Sequence, residues 1–266
     1  MPLRCLLEGR FIHSFTFSVE EWSELKASYR GSNLRMPCCG HGAVPKTSVR
    51  GTQFFAHAPN SGCPAVDEPQ ELLTAKMIVA QAVLAAGWEV ITEYRAPEDE
   101  GHSGGWTADV YAHEGKRNVA FQVQWSPAEM EAIRLRQAEL RARGFRGAWL
   151  YRLYRNRSYD RDDLLDEKAT PLFGIRITGN ADDFRVPRFD TVLGTFVKGM
   201  LDGALSWGPV PGKPINAGVY VVKTPCWKCG VTNRRRSFLR LQATGNACAR
   251  SFLGRAPKSS PCSHCW

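Results

Sequence analysis

At 266 residues and 43% hydrophobic content, the chain is long enough to bury a substantial core and to form two or three domains. No apolar run is long enough to span a bilayer, which excludes a helical membrane protein as an expectation. The net charge of +9 is unevenly placed, because from Gly203 to Trp266 there are ten Lys or Arg and no Asp or Glu. A local basic surface of this kind suits a polyanion, most simply nucleic acid.

The start of the chain carries Glu8 and no long apolar run, so no secretory leader is expected and a cytoplasmic setting is. Thiols stay reduced there, and nine cysteines are then expected as metal ligands rather than disulfides.

Residues 3–17 read as a hairpin turning at Glu8-Gly9. Ser18 with Glu21 forms a capping box for a helix near 19–29. Residues 30–66 are rich in Gly, Pro, Cys and His and read as irregular. Asp67 is placed to cap the next helix, with Pro69 in its first turn and Gly87 as its stop. A strand follows from Trp88 to Tyr94. A Gly/Glu-rich loop at 96–105 leads to a strand around Asp109. The Glu114-Gly115 turn precedes a strand from Val119 to Trp125.

Ser126 with Glu129 is a second capping box, with Pro127 at the first helical position, and that helix runs to Gly144. Ala148 to Tyr154 is a further strand. It needs a crossover through the helix, which favours a mixed sheet. Residues 155–188 give no clear pattern, and 190–205 have helical periodicity through Val192, Phe196 and Met200. Residues 207–216 read as a Pro/Gly-rich linker. The expected division is a β-rich Cys/His-containing segment at 1–66, a central α/β core at 67–155, an α/β extension at 156–206 and a basic Cys-rich module at 217–266.

Three groups of residues carry chemistry. In the first, two apolar strands hold polar side chains that a core strand would not choose. Asp109 lies on one, and Gln122 and Gln124 lie two apart on the other, so the glutamines share a face. Asp109 and that pair are expected to converge at one edge of the sheet. In the second, Cys226, Cys229, Cys262 and Cys265 form two CxxC pairs with 32 residues between them. Two such knuckles complete a tetrahedral structural zinc site of the zinc-ribbon type. Cys248 and His264 are alternative ligands. Arg234, Arg235, Arg236 and Arg240 lie between the knuckles and suit nucleic acid; such modules also bind proteins. In the third, Cys39, His57 and Cys63 could make a second zinc site, with Cys38 or His41 as fourth ligand, since adjacent cysteines rarely both bind one ion.

The order helix, three strands, helix, strand, with an acid on the second strand and a polar-x-polar pair on the third, resembles the PD-(D/E)xK nuclease superfamily. In detail it is similar to the competence protein CoiA-like nucleases. The matching residues are Phe55-Ala56-His57, Glu68 with Lys76, Glu93, Ala108-Asp109-Val110, Gln122-Val123-Gln124-Trp125-Ser126, Arg136 with Gly144, and Trp149. They cover about residues 35–155. The resemblance implies a restriction-endonuclease-like core and a metal-dependent DNA endonuclease or exonuclease, acting in recombination, repair, uptake or defence.

The chain departs from that pattern at two positions: Gln122 stands where the family has Glu, and Leu72 where it has His. Asp109 is then the principal carboxylate for Mg²⁺ or Mn²⁺ and Glu68 the second. Gln122 offers an amide oxygen or holds a metal-bound water. Gln124 orients water or phosphate but cannot act as a base. The alternative expectation is a catalytically weak nuclease fold serving as a DNA-binding or protein-interaction module.

Overall fold

The computed structural model describes residues 2–59, 61–64, 68–96, 106–126, 130–153, 170–178, 183–205, 217–225 and 232–243, the last two stretches by their backbone. The chain divides into two compact units, Met1–Gly208 and Pro209–Trp266.

The first unit opens with an antiparallel hairpin, β1 (Arg4–Leu7) and β2 (Arg10–His13). Its turn holds Glu8 and Gly9 at φ 50° and 81°. A two-residue turn matching strand twist needs positive φ at both positions, and Gly9 accepts this at no steric cost. Helix α1 (Val19–Ser28) starts on the expected reciprocal cap, with Glu21 N donating to Ser18 Oγ and Ser18 N donating to the Glu21 carboxylate. Strand β3 (Leu34–Arg35) joins β1, and β4 (Ala43–Thr47) pairs with β5 (Gln53–His57). The segment expected to be irregular thus contains a hairpin. A small core of Cys5, Trp22, Leu34, Met36, Ala43 and Phe55 holds these pieces together.

The centre is a mixed α/β layer. It runs α2 (Gln70–Ala85), β6 (Glu89–Arg95), β7 (Thr107–Glu114), β8 (Arg117–Gln124), α3 (Met130–Ala142) and β9 (Arg146–Arg152). Strands β6, β7 and β8 are antiparallel, and β9 lies parallel to β8 after the α3 crossover. The mixed sheet is as the crossover argument expects. Pro69 sits at the N-cap of α2 rather than in its first turn, because its φ of −58° is paired with an extended ψ of 143°. Gly87 and Gly144, at φ 79° and 77°, follow the ends of α2 and α3. Asp67, Pro127 and Glu129, expected in helix caps, lie outside the described residues.

The sheet extends beyond the expected set. Strand β10 (Leu172–Ile177) is parallel to β9, followed by antiparallel β11 (Phe184–Val186) and β12 (Thr191–Val192), giving a seven-stranded sheet in chain order. Helix α4 (Leu193–Leu201) starts later than the periodicity suggests, because Asp190 at φ 46° ends a short 3-10 turn and β12 takes the next two residues.

Adjacent strand residues point to opposite faces of a sheet. Phe121, Leu150 and Phe173 pack into the main core with Leu73, Val79 and Val83 of α2 and Phe196 and Val197 of α4. Their neighbours Ala120, Trp149 and Leu172 pack toward Leu140 and Ile133 of α3 on the other face. Trp149 Nε1 donates to Gln137 Oε1 at 2.8 Å, locking α3 onto β9. Gly147 is required beside this bond, since a Cβ there would lie 2.0 Å from Gln137 Oε1.

One place breaks the alternation. Ala108 packs on the α3 side with Trp106 and Ala120, whereas Val110 and Ala112 of the same strand pack on the α2 side. The strand therefore changes face at Asp109. Across from it, Glu93 takes φ 46°, between the pairs Thr92–Val110 and Tyr94–Ala108.

The described residues of the second unit form a long antiparallel hairpin of β13 (Ala217–Pro225) and β14 (Thr232–Ala243), with a bulge between Lys223 and Pro225. Arg234, Arg235, Arg236 and Arg240 lie on β14. Cys226, Cys229, Cys248, Cys262, His264 and Cys265, and the expected linker at 207–216, lie outside the described residues. Among the described residues no helix is long and apolar enough to cross a membrane.

Candidate functional site

The site begins with an apolar helix that carries one charge inward. Helix α2 buries Leu73, Ala75, Val79, Ala80 and Val83, and Lys76 lies among them at 2% exposure. A buried ammonium must be paired. Lys76 Nζ reaches Glu68 Oε1 at 2.6 Å, at the lead-in to its own helix, and Asp109 Oδ1 at 2.9 Å on β7. The other Asp109 oxygen, Oδ2, accepts the backbone N–H of Val123 at 2.7 Å. The face change in β7 is what turns Asp109 toward α2. The β7–β8 ladder runs only as far as the Val110–Phe121 pair, and the Asp109 carboxylate takes up a β8 amide beyond it.

Glu93 completes the group. Its Oε1 accepts Leu3 N at 3.2 Å, and its carbonyl accepts Arg4 Nη2 at 2.6 Å, so the N-terminal strand holds its left-handed backbone in place. Glu68 Oε2 and Glu93 Oε2 are buried oxygens without a hydrogen-bond partner. The Glu68 and Asp109 side chains keep 27% and 26% of their surface exposed, so the group opens to solvent on one side.

Two carboxylates thus pair with one ammonium, and a third, Glu93, acts on it through space. Burial alone pulls the Lys76 ammonium down, but Asp109, Glu68 and Glu93 outweigh it and hold Lys76 charged well above the usual lysine range. Burial pushes the Glu93 carboxyl up, and Lys76 only partly offsets this.

The glutamines stand differently. Gln122 is 6% exposed and donates Nε2 to the Thr107 carbonyl at 2.5 Å. Gln124 donates Nε2 to the Ser126 carbonyl at 2.7 Å. Their strand partners are Trp149 and Tyr151, which pack on the α3 side. Asp109, Glu68, Lys76 and Glu93 meet on the α2 side, and the two glutamine amides hydrogen-bond to other groups nearby. The sequence signal for Lys76 is a lysine between apolar positions of a buried helix face. Nothing in the sequence signals the anchoring by Leu3 and Arg4.

A second group lies in the N-terminal layer. Cys38, Cys39, His57 and Cys63 present ligand atoms that all lie within 4.8 Å of one another, a set that could hold a metal ion such as zinc. Cys38 Sγ is 3.2 Å from His57 Nε2 and 3.8 Å from Cys63 Sγ. The expected core of Cys39, His57 and Cys63 is present. The fourth member is Cys38 and not His41, so both adjacent cysteines join. The reason is the tight turn after β3. Gly40 N bonds the Met36 carbonyl at 2.8 Å and Met36 N bonds the His41 carbonyl at 2.7 Å, which closes the turn that carries the two thiols. Burial, reinforced by Cys39 and Cys63, pushes the Cys38 thiol up to about 11. Among the described residues this is the one set of three or more Cys, His, Asp or Glu with ligand atoms so close.

No family model and no curated protein matches this chain. Among solved structures, one described as "Crystal Structure of Protein of Unknown Function AF1548" is similar over 40% of this chain at 13% identity and a TM-score of 0.28. The match spans 58% of that protein's length.

Proposed function

We propose that the chain is a metal-dependent nuclease acting on DNA, built on a PD-(D/E)xK core of the CoiA-like kind. The observation that carries the reading is the meeting of Glu68, Lys76, Glu93 and Asp109. Four residues that the motif pattern scatters over forty-two positions come to one partly open, acidic group.

The chemistry of the group fits a hard divalent cation. Asp109 and Glu68 would hold Mg²⁺ or Mn²⁺, and the orphaned Glu68 Oε2 is a carboxylate oxygen free to turn toward it. Such an ion, when bound, screens phosphate charge and lowers the pKa of a water nucleophile. Lys76 stays protonated against both carboxylates and can donate to a phosphate oxygen. Glu93 adds negative charge that keeps the lysine in its charged form. Gln124 is neutral and could orient water or phosphate only, since an amide takes no proton; its own amide donates to the Ser126 carbonyl. The arginines of β14 would contribute phosphate contacts with a steep salt dependence.

One observation favours a second reading, a weakened nuclease fold used to bind DNA or, through the zinc-ribbon-like module, a protein. Gln122 replaces the expected carboxylate and its amide is committed to Thr107. A single series of assays decides between the readings. Protein with Mn²⁺ is expected to nick or degrade DNA, Asp109→Ala to abolish this, and Gln122→Glu to raise it several-fold. Absence of metal-dependent cleavage on single-stranded, duplex and branched DNA, with salt-sensitive binding retained, would select the second reading.

A further inference from the structure

We propose that Cys38, Cys39, His57 and Cys63 bind one zinc ion, and that this ion is a staple fixing the segment that leads into α2. The donor set is three thiols and one imidazole, the composition of a closed structural zinc site. A Zn–S bond of about 2.3 Å implies a sulfur–sulfur edge of about 3.8 Å in a tetrahedron. The Cys38–Cys63 separation is 3.8 Å. The His57 Nε2 lies 3.2 Å from the Cys38 sulfur, a few tenths of an ångström inside the edge of about 3.5 Å that a Zn–N bond of about 2.05 Å sets, a separation a small side-chain shift supplies.

The ligands come from three separate pieces of chain: the turn after β3, the last residue of β5, and Cys63 beyond it. Cys63 precedes Glu68 by five positions. The other end of this segment is fastened independently. Arg50 of the β4–β5 loop pairs with Glu71 at 3.0 Å, and Thr52 shares a 2.8 Å hydrogen bond with Thr74, both in the first turns of α2. The β4–β5 hairpin therefore grips the chain twice, through His57 at the zinc and through Arg50 and Thr52 on the helix. Glu68 lies between the two grips. Without the ion, no metal bond joins the turn after β3, the end of β5 and Cys63, and the first grip loses its strongest link.

The proposal stands whether or not the acidic group cleaves DNA, since its test reads zinc and backbone protection. Full-length protein is analysed for metal content as wild type, as Cys38→Ser/Cys63→Ser and as Cys226→Ser/Cys262→Ser. The first double variant is expected to hold one zinc fewer than wild type, and the second to keep this zinc. Hydrogen exchange on the second variant, before and after chelation, is expected to show Glu71 to Thr74 exchanging at least several-fold faster without zinc, with α4 unchanged. Unaltered zinc content in Cys38→Ser/Cys63→Ser overturns the site. Zinc loss with no change in α2 exchange overturns the staple. Should the first variant not fold, cobalt-loaded Cys226→Ser/Cys262→Ser protein decides, because a spectrum without thiolate-to-cobalt charge transfer excludes the assigned ligands.

Discussion

Replacing Lys76 with Met tests the electrostatics of the acidic group most directly. Methionine keeps an unbranched stem of similar length, so the apolar packing of α2 is largely retained and the change is one of charge. The lost ammonium is 3% exposed and sits 2.6 and 2.9 Å from two carboxylates, with Glu93 as a third opposing charge. Removing one partner of a buried ion pair costs about 3–5 kcal/mol. Glu68 and Asp109 are about a quarter exposed, so water screens part of the repulsion and brings the cost down to or just below the bottom of that range, about 2–3 kcal/mol. For a unit of this size that is a fall in Tm of roughly 4–12 °C.

The pH dependence carries a sign. In the wild type the lysine pKa is raised, so its stabilisation is complete below the ordinary lysine value and is lost only as pH rises through the higher folded value. In the Met variant Glu93, its carboxyl already pushed up by burial, loses the cation that partly offsets this, so the deficit is largest at neutral pH and shrinks on acidification as Glu93 takes up a proton. On the proposed function, Mn²⁺ should restore more stability to the variant than it adds to the wild type, since the carboxylates would then face a divalent cation in place of the ammonium. Urea unfolding followed by near-ultraviolet circular dichroism between about pH 5 and 8, with and without Mn²⁺, measures all three effects. A variant within about 0.5 kcal/mol of wild type across that range would refute the assignment of Lys76 as the charge that holds the group together.

Two further predictions concern the scaffold. Gly147→Ala forces a methyl against Gln137 Oε1 and disrupts the Trp149 hydrogen bond, which should cost about 2–4 kcal/mol in thermal or urea unfolding; a loss below about 1 kcal/mol would show that α3 can shift freely on β9. His13, held down to about 4 by burial and then by Arg4, stays neutral in the fold while the unfolded chain takes up a proton near 6.5, so stability should fall by up to roughly 3 kcal/mol as pH drops from about 7 to about 4. His13→Phe should flatten that part of the pH profile, and an unchanged slope would place the proton uptake elsewhere.

Signals confined to a few neighbouring residues were legible in the sequence. The Ser18–Glu21 box, the Glu8-Gly9 turn and the glycines after α2 and α3 each act through hydrogen bonds or φ values set within four or five positions. The crossover that makes the sheet mixed also follows from chain order, since β9 can reach β8 in parallel only by way of α3. Strands β10 and β11 escaped because they are completed by neighbours. Leu172 to Ile177 is short and its face is decided by β9 and α4. The acidic group was half legible. Asp109 is visible as an acid on an apolar strand, and Glu68, Lys76 and Glu93 through the resemblance, but the face change that turns Asp109 toward Lys76 depends on Glu93 opposite, and Glu93 depends on Leu3 and Arg4 some ninety positions earlier. The choice of Cys38 over His41 turns on the closure of a five-residue loop, which spacing alone leaves open.

The left-handed Glu93 also bears on how copies of this chain treat one another. Among the described residues, strand β6 is the last strand of the seven-stranded sheet, paired with β7 alone. A terminal strand of seven residues offers a row of amides and carbonyls on which a second molecule could grow by strand addition, the first step toward aggregates. At φ 46° Glu93 interrupts that row near its middle, and Arg4 already occupies its carbonyl. The kink that belongs to the acidic group therefore also interrupts the row on which a second strand would add, and loosening the N-terminal strand should disturb both at once.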